Sequence, residues 1–179
     1  MKVAAIDIDK DAIRVVELQK GMRGASVSNH FKMPLVNGNL SEALKDVVKK
    51  IPEAEIVVSF DSRDFSFRTL NLPITDIKKI EKTITFEAEE LLPFPVDELI
   101  IDYQIIEKGE KETTVGIVAA KKEKIKTQLE ALSSGGIDPK VINIAPSALS
   151  AIANYYLKDE KGVYAVVCSS VSDIDIGIF

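Results

Sequence analysis

Three aspartates, Asp7, Asp9 and Asp11, stand two residues apart where the apolar run VAAI gives way to a second one, IRVVEL. Carboxylates at this spacing, beside the end of a strand, could ligate a divalent cation, attack phosphorus or work as an acid–base pair. Arg14, three residues beyond Asp11, could contact a phosphate. The plainer alternative is that the aspartates are solvated turn residues. The immediate return to an apolar run favours it, because the chain then turns back as a hairpin strand instead of entering a helix. Few other residues offer chemistry. His30 is the only histidine and lies in a polar-alternating stretch, so it is expected to face solvent. Cys168, the only cysteine, is expected to be a buried strand residue. The glycines of SSGGID follow a helical pattern instead of opening one, which makes them a C-terminal cap and not a phosphate loop. No catalytic residue and no metal-ligand set is predicted.

A chain of 179 residues, 46% of them hydrophobic, carries these groups and is long enough to bury a core as one domain or two small subdomains. A formal charge of −5 argues against a general nucleic-acid or anionic-membrane surface, although Lys121, Lys122, Lys124 and Lys126 form a local basic run. A single cysteine excludes an internal disulfide, and the N-terminus has no charged region followed by a sustained apolar stretch. The expectation is a cytoplasmic protein without a signal peptide. No apolar run reaches the roughly 18 residues that a membrane helix needs, so attachment to a membrane would come from a partner or from polypeptide outside this chain.

The elements that must position the aspartates follow from periodicity. Strands are predicted over Lys2 to Ile8, Ala12 to Gln19 and Ala25 to Lys32, as an antiparallel meander. A helix follows with Leu40, Leu44, Val47, Val48 and Ile51 at helical spacing, Asn39 as N-cap, Glu42 at the third helical position and Pro52 as the stop. EIVVSF reads as a strand buried on both faces. This order is the first half of a ribonuclease-H-like core. From Phe65 the alternation in FSFRTLNLP leads into a helix with its stripe at Ile77, Ile80, Ile84, Ala88 and Leu91, and then into two strands joined by KGEKE. KKEKIKTQLEALSSGG reads as a helix, KVINIA as a short buried strand, PSALSAIANYYL as a helix, and YAVVCSS with DIDIGIF as a last hairpin.

The stretch LPITDIKKIEKTITFEAEELLPFPVDELIIDYQII closely resembles the corresponding part of the PilM family of type IV pilus assembly and the related cytoplasmic region of GspL from type II secretion. EAEELLPFPVDE followed by DYQ is the most specific part of this resemblance, which also takes in IRVVEL. It implies an actin-like ATPase fold. The core subdomain would occupy residues 1–63 and 121–160, a small inserted subdomain residues 64–120 as in the FtsA and PilM families, and residues 161–179 would open a second half.

The resemblance also gives the aspartates a context. In actin-like ATPases the first hairpin reads DIG followed by small hydroxyl residues, since glycine lets backbone N–H groups approach a phosphate. Aligned without a gap, Asp7 keeps the aspartate, Asp9 replaces the glycine, Lys10 and Asp11 replace hydroxyl residues, and Arg14 falls where a phosphate-contacting lysine is usual. A second DIG aligns with Cys168, Ser169 and Ser170, so both its aspartate and its glycine are absent. Two unit charges 4 Å apart interact by about 4 kcal/mol at an effective dielectric of 20, so Asp9 should repel a triphosphate unless a metal intervenes. Asp7, Asp9, Arg14, Cys168 and Ser170 are therefore expected to form degenerate phosphate loops. No cofactor is predicted, and Mg-ATP is the ligand to test. A distant alternative is a metal-dependent phosphohydrolase, because AAIDID resembles the D-x-D motif of haloacid dehalogenases; Asp11 stands where that motif has a hydroxyl residue.

For function the resemblance implies a non-enzymatic scaffold at the cytoplasmic face of the inner membrane. It would link the membrane platform of a pilus or secretion machine to the secretion or assembly ATPase. A nucleotide-binding PilM-like protein is the alternative. Another implied partner is the N-terminal cytoplasmic tail of a PilN-like membrane protein, lying in a groove. Candidate contact residues come from the pattern itself. Phe86 falls opposite the apolar stripe of its helix, and Leu92, Phe94 and Pro95 fall in a segment that two prolines force out of the helix, extended and partly exposed. The final hairpin has Val166, Ile174, Ile176 and Ile178 without a later helix to cover them. It is expected to be disordered, to fold back, or, as the favoured outcome, to pair with a second copy in a homodimer.

Overall fold

The computed structural model describes residues 1–22, 24–35, 38–158, 161–169 and 174–178. It divides into two compact units, one formed by Met1–Ser62 with Leu129–Phe179 and the other by Arg63–Gln128. In the first unit β1 (Lys2–Ile8), β2 (Ala12–Gly21) and β3 (Gly24–Pro34) form the antiparallel meander. Then come α1 (Leu40–Lys50) and β4 (Glu55–Phe60), the latter parallel to β1. The start of α1 is set locally: Asn39 Oδ1 accepts the Glu42 N–H at 3.3 Å while Asn39 Nδ2 donates to Glu42 Oε2 at 2.9 Å.

The second unit is an α+β layer. β5 (Phe65–Leu72), α2 (Ile77–Glu89), β6 (Leu99–Lys108) and β7 (Thr113–Lys121) give a three-stranded antiparallel sheet of order β5-β7-β6. Ile80, Ile84 and Ala88 of α2 join Leu72, Leu99, Val115, Ile117 and Ala119 in one apolar cluster. Two members of the expected stripe, Ile77 and Leu91, are exposed instead: Ile77 is the first residue of the helix and Leu91 lies just past its C-cap Glu90.

The chain returns to the first unit within α3 (Lys122–Ser134), continues through β8 (Val141–Ile144) and α4 (Ala145–Tyr156), and ends in the hairpin β9 (Ala165–Ser169) and β10 (Ile174–Ile178). β8 adds in parallel to β4, completing the sheet β3-β2-β1-β4-β8. Ala4, Ile6, Val15 and Val58 bury one face of it, and Leu44 and Val47 of α1 are buried with them in this unit. β8 is not the buried strand its apolar sequence predicts. As an edge strand it has one neighbour, and Val141 and Ile142 stay exposed. The terminal hairpin folds back beside α4, and Ser62 Oγ donates to Asp175 Oδ1 at 2.7 Å. Ile174, Ile176 and Ile178 remain exposed on its outer side with Val167.

Candidate functional site

Register places a polar row across the five-stranded sheet. Lys32 pairs with Arg14, Arg14 with Asp7, Asp7 with Ser59, and Ser59 with Asn143, so the five residues share one face. The row lies near the carboxyl ends of the parallel strands β1, β4 and β8, where ligands of open α/β sheets gather. Lys32, Ser59 and Asn143 did not emerge from the sequence, because nothing local to them reveals which residues they face across the sheet.

At the β1–β2 tip the three aspartates converge on one arginine. Arg14 Nη1 donates to Asp7 Oδ2 at 3.3 Å and to Asp9 Oδ2 at 3.2 Å, and Nη2 donates to Asp11 Oδ1 at 3.3 Å. Lys32 Nζ holds the other oxygen of Asp11 at 2.7 Å. The Asp9 side chain is only 5% exposed, so it projects into the cluster instead of into solvent. The tip is also closed along its backbone: the Asp9 N–H donates to Ala12 O at 2.9 Å, the Lys10 N–H to Asp9 Oδ1 at 2.7 Å, and the Leu35 N–H to Asp11 O at 2.8 Å. Burial opposes the charge on Arg14, but the hydrogen bond to Asp9 and the attraction of Asp11 and Asp7 outweigh it and raise its pKa. The Lys32 hydrogen bond holds the Asp11 carboxyl below the usual carboxylate range. The aspartates therefore form an ion-paired cluster at the turn, in which the Asp9 side chain is buried while those of Asp7 and Asp11 keep contact with solvent, as the plainer sequence alternative has them.

The second expected loop is only partly in view. Cys168 lies on β9 opposite Asp175 of β10 and is exposed, not buried, because the two-stranded hairpin leaves it uncovered. Ser170 lies outside the described residues. Among the described residues no group of three or more His, Cys, Asp or Glu side chains is arranged to hold a metal ion.

The candidate contact residues separate into surface and core. Phe86 is 76% exposed on the outer side of α2. Phe94 is exposed, with Lys121 Nζ 3.6 Å from the centre of its ring, and Pro95 is exposed just before the 3-10 turn Val96–Glu98. Lys122 Nζ donates to Asp97 O at 2.7 Å, and Arg68 Nε donates to Leu91 O at 2.9 Å, so the segment is tied down at both ends. Leu92 corrects the expectation. It is 9% exposed and belongs to the apolar cluster of this unit, because the turn after α2 carries it back toward the sheet.

The family model of the type IV pilus assembly protein PilM matches residues 5–177. No curated protein matches the chain in sequence. Among solved structures, PilM in a PilM–PilN type IV pilus biogenesis complex superposes over 98% of the chain with a TM-score of 0.78 at 20% identity. The chain spans 57% of the length of that PilM. The cytoplasmic domain of EpsL, an inner-membrane component of the Vibrio cholerae type II secretion system, matches 99% of the chain and 71% of its own length at TM-score 0.62 and 14% identity. A protein of unknown function from Bacteroides thetaiotaomicron with an actin-like ATPase fold matches 99% of the chain and 65% of its own length at TM-score 0.50 and 15% identity. These likenesses establish the actin-like ATPase fold.

Proposed function

The chain belongs to the family of the type IV pilus assembly protein PilM, and from that premise we propose that it is a scaffold of pilus assembly that works through protein contacts without hydrolysing ATP. The single observation that carries the proposal is the family match across residues 5–177. The PilM with TM-score 0.78 to this chain was solved with PilN, which supports a PilN-like membrane protein as the partner here, engaged through its N-terminal cytoplasmic tail. The likeness to the cytoplasmic domain of EpsL supports a position at the inner-membrane face. Such a scaffold would connect the membrane platform to the assembly ATPase. No helix among the described residues is long and apolar enough to cross a membrane.

Mg-ATP is the ligand the fold family implies, and the β1–β2 tip does not suit its phosphates. Asp9 puts a carboxylate where a phosphate would approach, and the N–H groups of Asp9 and Lys10 are bonded within the tip. We therefore derive no catalytic step. Co-expression with the cytoplasmic tail of a PilN-like protein tests the function: co-purification of the tail supports it, and a tail that fails to co-purify with folded chain contradicts it.

A further inference from the structure

An anion binding at the carboxyl end of a sheet needs backbone N–H groups and a cation with bonding capacity to spare. At this tip the N–H groups of Asp9 and Lys10 and the cations Arg14 and Lys32 are engaged by residues of the chain itself. The Asp9 N–H is bonded to Ala12 O at 2.9 Å and the Lys10 N–H to the Asp9 carboxylate at 2.7 Å. The Arg14 guanidinium is spread over three carboxylates at 3.2–3.3 Å, and Lys32 is drawn to Asp11 at 2.7 Å. Asp9 enters both sets of bonds: one of its oxygens closes the backbone turn and the other holds Arg14.

We propose that Asp9 and Asp11 are specificity-determining residues that lock Arg14 into the β1–β2 tip and turn this end of the sheet against phosphate-bearing ligands. The tip is a self-filled site: the arginine takes the place of a bound cation among the carboxylates, and the Asp9 carboxylate takes the place of a phosphate oxygen on a backbone N–H. This proposal rests on the scaffold function stated above, read as a nucleotide-free one because the tip does not suit the phosphates of Mg-ATP, and adds a structural cause for it. Within the cluster three carboxylates face Arg14 and Lys32. Neutralising Asp9 and Asp11 leaves one carboxylate against the same two cations and reverses the local sign.

The test is isothermal titration of the whole chain with inorganic pyrophosphate and, separately, with Mg-ATP. Wild type, Asp9→Asn/Asp11→Asn and Asp9→Asn/Asp11→Asn/Arg14→Gln are compared, with folding checked by circular dichroism. Pyrophosphate affinity should rise at least about tenfold in the double variant, shrink as salt screens the tip, and be lost again in the triple variant. Equal affinity in wild type and a folded double variant overturns the lock, as does a gain that survives Arg14→Gln. If the double variant fails to fold, Asp11→Asn alone serves, since its carboxylate is partly exposed; it should show a smaller gain of the same sign, and no gain overturns the proposal. Tight Mg-ATP binding by wild type overturns the nucleotide-free function and this proposal with it. A wild type silent to Mg-ATP, with a folded double variant equally silent to pyrophosphate, overturns the lock alone.

Discussion

Phe86→Ala should separate surface from core on α2, and its cost follows from exposure. A phenylalanine offers about 200 Å² to bury, and Phe86 is 76% exposed, so roughly 50 Å² is at stake. At about 25 cal/mol per Å² that area is worth on the order of 1 kcal/mol. The higher helix propensity of alanine returns a few tenths of a kcal/mol. The net loss of stability should therefore stay below about 1 kcal/mol. Ile80→Ala, at a fully buried position six residues earlier on the same helix, should cost about 2–5 kcal/mol. Urea unfolding of both variants beside wild type, with the slopes compared, measures the difference. If Phe86 is a contact residue, its variant should retain near-native stability and still capture less of a PilN-like tail or an assembly ATPase. A loss of 3 kcal/mol or more for Phe86→Ala would refute the reasoning and place the ring in a core.

Gly135→Ala should be destabilising by about 1–3 kcal/mol in urea unfolding, because the added methyl would overlap Leu44 Cβ and lie 2.9 Å from Leu44 Cδ1; a neutral substitution would show that α1 can yield. Stability should also fall on acidification. Asp11 has a folded pKa below the ordinary 3.8, so its contribution is present above that value and is lost as pH falls through the folded pKa; thermal melts between pH 5 and pH 2, both approximate, should show the loss, less steeply for Lys32→Met. The outer side of the terminal hairpin, with Ile174, Ile176 and Ile178, should mediate self-association of this chain: sedimentation velocity should show a dimer that Ile176→Lys abolishes, and a monomeric wild type would contradict it.

The parts of the fold set by neighbours in sequence were legible. Asn39 and Glu42 start α1 through local bonds, Pro52 follows its C-cap where a residue without an N–H cannot continue the helix, and Ile80, Ile84 and Ala88 mark the buried side of α2 by spacing alone. Residues whose environment depends on neighbours distant in sequence were not. β8 has the apolar composition of a central strand and sits at an edge, and Cys168 is uncovered because its hairpin has two strands. Leu92 follows a helix end that looks like an exit to the surface, yet the turn returns it to the cluster around Leu99. In the candidate site the departures at Asp9 and Asp11 could be read from the sequence; their shared hold on Arg14 could not, since it depends on the β1–β2 tip and on Lys32 of a third strand.

Fluorescence anisotropy with a labelled peptide of the N-terminal cytoplasmic tail of a PilN-like protein, titrated with the whole chain in the presence and absence of Mg-ATP, tests the central claim most directly. A nucleotide-independent scaffold predicts saturable binding with the same Kd in both conditions. Absence of binding, or binding that appears only when Mg-ATP is added, would contradict it.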